Sequence, residues 1–242
     1  LDIDALLAAV TPRTRLVFIA NPNNPTGSYV DRDAIRRLHD GLPKAVLLVL
    51  DAAYAEYMTV PDYEDGLDLA ASEPNVIVTR TFSKIHALGG LRVGWGYGPA
   101  HVVDALNRVR NPFNIATPSA QAAIASLADA DFLRRSREHN AHWRDWLAAQ
   151  LRACDGFTPL PSATNFILVH TGTPERTQAL LAAVCGAEAA SLAGAVAVSR
   201  AGAAAAAGLD NDGGAAWCCS PSCRCRRCMF CSSTSTRASR PA

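Results

Sequence analysis

Lys84 stands in the run TRTFSKIHALGGLRVGWGYG (residues 79–98), between Thr81 and Ser83 on one side and Gly89, Gly90 and Arg92 on the other. A lysine desolvated by neighbours such as Phe82 and Ile85 can act as an amine nucleophile toward an aldehyde. The two hydroxyls can donate hydrogen bonds, the glycines let a ligand approach the backbone closely, and the Arg92 guanidinium is a bidentate fork suited to a phosphate dianion. Upstream, Asp51 can hold a pyridine nitrogen protonated, turning an aromatic ring into an electron sink. Tyr54 and Asn24 can hydrogen-bond an oxygen on the same ring.

Together these are the groups a pyridoxal phosphate site requires. Singly, each has a plainer reading. Lys84 can be an exposed loop lysine, the NPNNPTG segment (residues 21–27) only a turn-rich loop, Asp51 a helix cap, Tyr54 a half-buried core aromatic, and Arg92 the partner of a surface carboxylate. The six histidines (His39, His86, His101, His139, His142 and His170) are scattered and read as surface or structural residues.

Three apolar runs must position the polar groups. Residues 15–20 (RLVFIA) read as a buried strand that stops at NPNNPTG, and residues 45–50 (AVLLVL) and 75–79 (NVIVT) as two more, ending at Asp51 and beside Ser83 and Lys84. After the first strand, Asp31 can cap a helix whose buried stripe is Ile35, Leu38 and Leu42, with Pro43 ending it. Strands apolar on both faces and separated by helices predict an α/β domain with a mostly parallel sheet. Ligands bind at the carboxyl edge of such sheets, so Asn24, Asp51 and Lys84 can converge there.

From Pro118 the spacing turns helical. Residues 128–153 predict one long helix with Trp143, Trp146, Leu147 and Leu151 on a common face. Residues 157–160 and 165–169 predict short strands around a Pro-Ser turn. The expected organisation is a partial large domain over residues 1–127, a linking helix with an incomplete α+β small domain over 128–184, and a low-complexity tail over 185–242.

Composition narrows the partners. A net charge of +1, from 23 basic and 22 acidic residues, leaves no electrostatic footprint for nucleic acid or an anionic membrane, so a small molecule is the expected partner. No run of about 18 apolar residues occurs, and the opening LDIDALLAAV carries acids, so neither a membrane span nor a signal peptide is expected and the chain reads as cytoplasmic. The opening lacks a methionine and is already at helical spacing (Leu1, Ala5 and Ala8 with Leu6 and Ala9), which predicts a missing N-terminal portion. Cys218, Cys219, Cys223, Cys225, Cys228 and Cys231 crowd the tail. They offer thiolates for zinc, yet with a single CxxC and no histidine following, the tail reads as disordered, frame-shifted sequence.

NPNNPTG, DAAYAEY (residues 51–57) and TFSKIHALGGLRVGW (81–95) resemble, in order and separation, the fold-type I pyridoxal-phosphate aminotransferases. The last two, with RNPFNIATPSAQAA and ATNFILV, look most like the histidinol-phosphate aminotransferase branch. The resemblance runs over residues 1–181 and implies a homodimer with a pyridoxal 5'-phosphate cofactor. It implies amino transfer between L-glutamate and imidazole-acetol phosphate, a phosphorylated keto acceptor, in histidine biosynthesis. By that resemblance Lys84 would form the Schiff base and shuttle a proton, Asp51 would pair with the pyridinium nitrogen, and Asn24 and Tyr54 would bond the phenolic oxygen. Thr81, Ser83 and Arg92 would hold the phosphate. Threonine-phosphate decarboxylases and aromatic aminotransferases share similar blocks, and both remain open, as does a non-catalytic cysteine-rich metal-binding protein. The family's N-terminal arm, glycine-rich turn and ring-stacking aromatic are not found ahead of NPNNPTG. Arg200 lacks the context of the family's carboxylate-binding arginine, so impaired turnover is expected.

Overall fold

The computed structural model describes residues 1–173 and the backbone of a strand at Ala195–Ala197. Its first sheet has four strands in the order β1 (Leu16–Ala20), β2 (Leu47–Asp51), β3 (Val76–Thr81) and β4 (Gly94–Tyr97). β1, β2 and β3 run parallel, and β4 is antiparallel to β3. The mostly parallel sheet expected from the apolar runs is therefore present. Helices α1 (Ile3–Ala8), α2 (Arg32–Gly41) and α3 (Leu67–Ser72) contribute to the core on one face.

The local causes are visible. Asp2 accepts the Ala5 N–H at 2.9 Å to start α1, and Asp31 accepts the Ala34 N–H at 2.8 Å to start α2. In α2 Ile35 and Leu38 are fully buried, and Leu42 is buried just past its end. They join Ile19, Leu48, Leu50, Val76 and Val78, the inward residues of the three parallel strands, in a single core. Side chains alternate along a strand, so Asp51 and Thr81 lie on the opposite face.

Three further helices follow: α4 (Ala100–Val109), α5 (Thr117–Ala128) and α6 (Ala130–Ala153). The helix expected from residue 128 begins at Ala130, because Asp129 ends α5 and accepts the Phe132 N–H at 2.9 Å to cap α6. The common face predicted for α6 divides. Leu147 and Leu151 pack with Ile167 and Val169, whereas Trp143 and Trp146 stay 45% and 43% exposed and meet edge-on at 5.5 Å. No helix among the described residues is long and apolar enough to cross a membrane.

The second sheet has β5 (Thr158–Pro159) antiparallel to β6 (Phe166–His170), and β6 parallel to β7 (Ala195–Ala197). β7 lies in the Ala- and Gly-rich stretch where no strand periodicity is legible. The cysteine-rich segment and Arg200 fall outside the described residues. The two sheets meet at the NPNNPTG loop: the Ala163 N–H donates to the Gly27 carbonyl at 2.7 Å. Gly27 has φ +74°, and a Cβ there would sit 2.3 Å from Ser162 Oγ. Both the backbone conformation and the space require glycine.

Two of the histidines are structural and buried. His39 Nε2 lies 3.1 Å from Asn75 Oδ1, and His86 Nδ1 lies 2.8 Å from Ser126 Oγ, with its ring 4.7 Å from Phe82. Burial pushes the pKa of His86 below the ordinary histidine range, with the nearby Glu56 charge opposing.

Gly27→Ala is expected to lose about 1–3 kcal/mol in denaturant unfolding. The pair Gly27→Ala with Ser162→Ala should recover only part, since the positive φ persists. For His86, the unfolded chain takes up a proton below about pH 6.5 while the folded site resists it. Stability should therefore decline as pH falls through that value, and the His86→Gln chain should show a flatter decline in urea midpoints measured across the interval.

Candidate active site

The ends of β1 and β2 and the loops leaving β1, β2 and β3 form an open pocket of about 160 Å³ lined by Ala20, Pro22, Asn24, Asp51, Ala53, Tyr54 and Lys84. Four of the predicted site residues thus share one cavity, though they span 61 positions from Asn24 to Lys84. The convergence follows from strand register: Ala20 pairs with Asp51, and Asp51 with Thr79. β1 and β2 end at one level, β3 runs two residues further to Thr81, and the segments leaving all three open on one side.

The loop after β1 is held by its own polar side chains. Asn21 Nδ2 donates to the Val30 carbonyl at 3.0 Å, its Oδ1 accepts the Val30 N–H at 3.0 Å, and Asn23 Nδ2 donates to Thr26 Oγ1 at 2.7 Å. These bonds leave Asn24 free to turn toward the pocket, where its Nδ2 donates to Tyr54 Oη at 3.2 Å. The Tyr54 ring is 5% exposed and sits edge-on to Phe166 of β6 at 5.4 Å. It is both a core aromatic and a pocket wall.

Lys84 sits in the tight bend after β3. Phe82 N–H donates to the Val93 carbonyl at 3.1 Å, Leu88 N–H to the Phe82 carbonyl at 3.0 Å, and Ala87 N–H to the Lys84 carbonyl at 3.0 Å. Phe82 and Ile85 are buried, as their sequence position implies, and anchor the bend while Lys84 turns outward. Its Nζ lies 5.1 Å from the centre of the Tyr54 ring, within cation–π range. The amine and the phenol are therefore neighbours.

Thr81, Ser83 and Arg92 form a second group beside this bend. Thr81 Oγ1 accepts the Ser83 N–H at 3.0 Å, and Arg92 Nη1 donates to the Gly89 carbonyl at 2.7 Å and to Ser83 Oγ at 3.4 Å. Arg92 has φ +52°, a left-handed conformation that a non-glycine residue adopts at a cost. No ion pair joins Arg92 to a carboxylate among the described residues. Its fork keeps donors available to an anion, as do the two hydroxyls. These three residues do not line the pocket itself but adjoin it through Lys84.

The donor set fits a flat ring with several polar substituents. An amine, a carboxylate on the sheet's open face, an amide and a phenol surround one cavity, and two hydroxyls with a guanidinium lie alongside for a phosphate. Phe166 and the small residues Ala20 and Ala53 were not singled out from sequence. An aromatic opening an apolar strand after a turn was the available signal for Phe166; the alanines carry none. Among the described residues no cluster of histidine, cysteine, aspartate and glutamate could hold a metal ion.

A profile of the aminotransferase class I and II family matches residues 1–205, past the end of the motifs quoted above. The histidinol-phosphate aminotransferase of Nitrobacter hamburgensis is 54% identical over 172 residues, covering 71% of this chain and 47% of that protein. The one from Sphingopyxis alaskensis is 57% identical over 170 residues, covering 69% of this chain and 46% of its own length. The crystal structure of histidinol-phosphate aminotransferase from Sinorhizobium meliloti in complex with pyridoxal-5'-phosphate superposes with a TM-score of 0.67 at 38% identity, covering 71% of this chain and 46% of that one. The chain spans about half the length of the curated relatives it matches. With the fold-type I architecture and more than half its length matched, this chain belongs to the aminotransferase class I and II family.

Proposed function

We propose that this chain carries the cofactor-binding part of a pyridoxal-phosphate-dependent aminotransferase of the histidinol-phosphate type. Such an enzyme transfers an amino group between L-glutamate and imidazole-acetol phosphate in histidine biosynthesis. The observation that carries the reading is the meeting of Lys84, Asp51, Asn24 and Tyr54 around one pocket. The 51–57% identity to histidinol-phosphate aminotransferases supports the branch. Neighbours named as decarboxylases share 20% and 22% identity, a likeness of fold alone.

Pyridoxal phosphate, when bound, supplies an aldehyde for the amino group and a ring that takes up electron density from the substrate α-carbon. The chain's own residues do the rest. Lys84 would hold the cofactor's aldehyde carbon through its amine and would be the base for the proton at the substrate α-carbon. Asp51 keeps a proton on the pyridine nitrogen through charge pairing. Asn24 and Tyr54 hold the phenolic oxygen, and Thr81, Ser83 and Arg92 hold the phosphate through charge-assisted hydrogen bonds.

The reading extends to a homodimer in the cytoplasm. Leu106, Val109 and Phe113 remain exposed, Phe113 by 94%, which supports a covering partner near α4. It also divides the chain into a partial large domain over residues 1–127 and a linking helix with a partial second domain over 128–184, ahead of a tail over 185–242.

Incubation with pyridoxal phosphate followed by borohydride reduction and peptide mapping should place the cofactor mass on Lys84, and Lys84→Ala should abolish it. No adduct at saturating cofactor, or an adduct on Lys44, the other lysine of the chain, in place of Lys84, would refute the proposal. Arg92→Gln should weaken cofactor affinity by roughly tenfold to a hundredfold, the loss expected for a hydrogen bond to a charged phosphate, as read by equilibrium dialysis.

A further inference from the structure

We propose that Glu56 and Arg80 are positioning residues that hold the turn carrying Tyr54, so that its phenol faces Asn24 and Lys84. The inference rests on the reading of Tyr54 as a cofactor-binding residue. Tyr54 opens a short 3-10 turn, Ala55–Tyr57, in which the Tyr57 N–H donates to the Tyr54 carbonyl at 3.1 Å and the Met58 N–H to the Ala55 carbonyl at 3.0 Å. One helical turn is not stable by itself, so its orientation must be set from outside.

Two arginines set it. Arg80 of β3 donates from Nη1 to Glu56 Oε1 at 2.8 Å and from Nη2 to Asp65 Oδ2 at 2.7 Å. One guanidinium thereby grips the β2–α3 connection at two points nine residues apart. Its side chain is 7% exposed, and Trp95 of β4 covers it, with the guanidinium carbon 5.7 Å from the ring centre. From the other side, Arg137 Nε of α6 donates to the Glu56 carbonyl at 2.7 Å. Glu56, two residues from Tyr54, is thus held by its side chain from the sheet and by its backbone from the helix.

The bonding pattern favours orientation over stability. A guanidinium meeting a single carboxylate as a fork satisfies more donors and acceptors. Here the fork is split between two carboxylates, and Glu56 Oε2 and Arg80 Nε are left buried without a partner. Unsatisfied buried groups cost stability, and breaking such a pair costs more still, so the split arrangement is enforced once formed. What it provides is reach across the loop that carries the phenol.

The test uses the full chain loaded with pyridoxal phosphate and follows the pH midpoint of its visible spectrum. Tyr54→Phe should move the midpoint upward, because a donor to the ionised ring oxygen is lost. Glu56→Gln should move it the same way by at least half as much, and should add nothing in the Tyr54→Phe background. Arg80→Lys should lie closer to the parent than Arg80→Met. In the cofactor-free chain, Glu56→Gln should speed amide hydrogen exchange at Tyr57 and Met58. If Glu56→Gln does not fold, Arg137→Gln releases the same turn and should shift the midpoint likewise. A midpoint moved by Tyr54→Phe but not by either partner variant, or additive shifts in the double variant, would overturn the positioning role and leave Tyr54 in place. A midpoint unmoved by Tyr54→Phe would overturn the Tyr54 assignment and the inference with it.

Discussion

The in-register parallel pairing of β1, β2 and β3 is the constraint on which the site depends. Ala20, Asp51 and Thr79 lie side by side, so three chain segments widely separated in sequence reach the same edge of the sheet, β3 running on two residues to Thr81. A slip of one residue in β2 would turn Asp51 into the core and Leu48 and Leu50 out of it. Register is protected because that core is apolar and filled. The hydrophobic effect, which is indifferent to chemistry, thereby determines where a carboxylate, an amine and a phenol meet.

The loops then refine what the strands bring together. Asn21 ties its own loop to Val30, Phe82 and Ile85 bury the ends of the lysine bend, and Phe166 reaches across from the second sheet to the Tyr54 ring. Each is an anchoring residue against a site residue, and it fixes that neighbour's position whether the neighbour is buried, as Tyr54 is, or half-exposed, as Lys84 is. Arg92 is the exception. Its backbone is left-handed, and its guanidinium, not a neighbouring anchor, is held by the Gly89 carbonyl, which places it beside Ser83.

Much of this was legible in the sequence where a local pattern and a tertiary demand coincide. The three parallel strands are continuous apolar runs, α2 has an aspartate cap and a stripe at helical spacing, and the polar site residues stand at strand ends. β4 was not legible, because its Gly-Trp-Gly-Tyr alternation is neither an apolar run nor β-branched. It forms because β3 supplies an open edge, and a Cβ at Gly94 would meet the Arg80 carbonyl at 2.7 Å. The break at Asp129 was hidden within a stretch of good helix formers, where an aspartate reads as a surface residue unless its capping bond is known. Trp143 and Trp146 share helical spacing with Leu147 and Leu151 yet face solvent, since periodicity defines a stripe but not its width. The Arg80 network was the largest omission: an arginine inside a strand gives no hint that two carboxylates wait on another loop.

The contact between Gly27 and the turn at Ser162 has a mechanical meaning. The Ser162 side chain packs directly on the Gly27 backbone, and a hydrogen bond from the Ala163 N–H to the Gly27 carbonyl fastens the two loops. A shift of the second sheet therefore reaches the loop three residues from Asn24 through one short serine side chain and a backbone hydrogen bond, with no long side chain to absorb it. The contact works as a rigid linkage, through which the position of one sheet is felt at the pocket of the other.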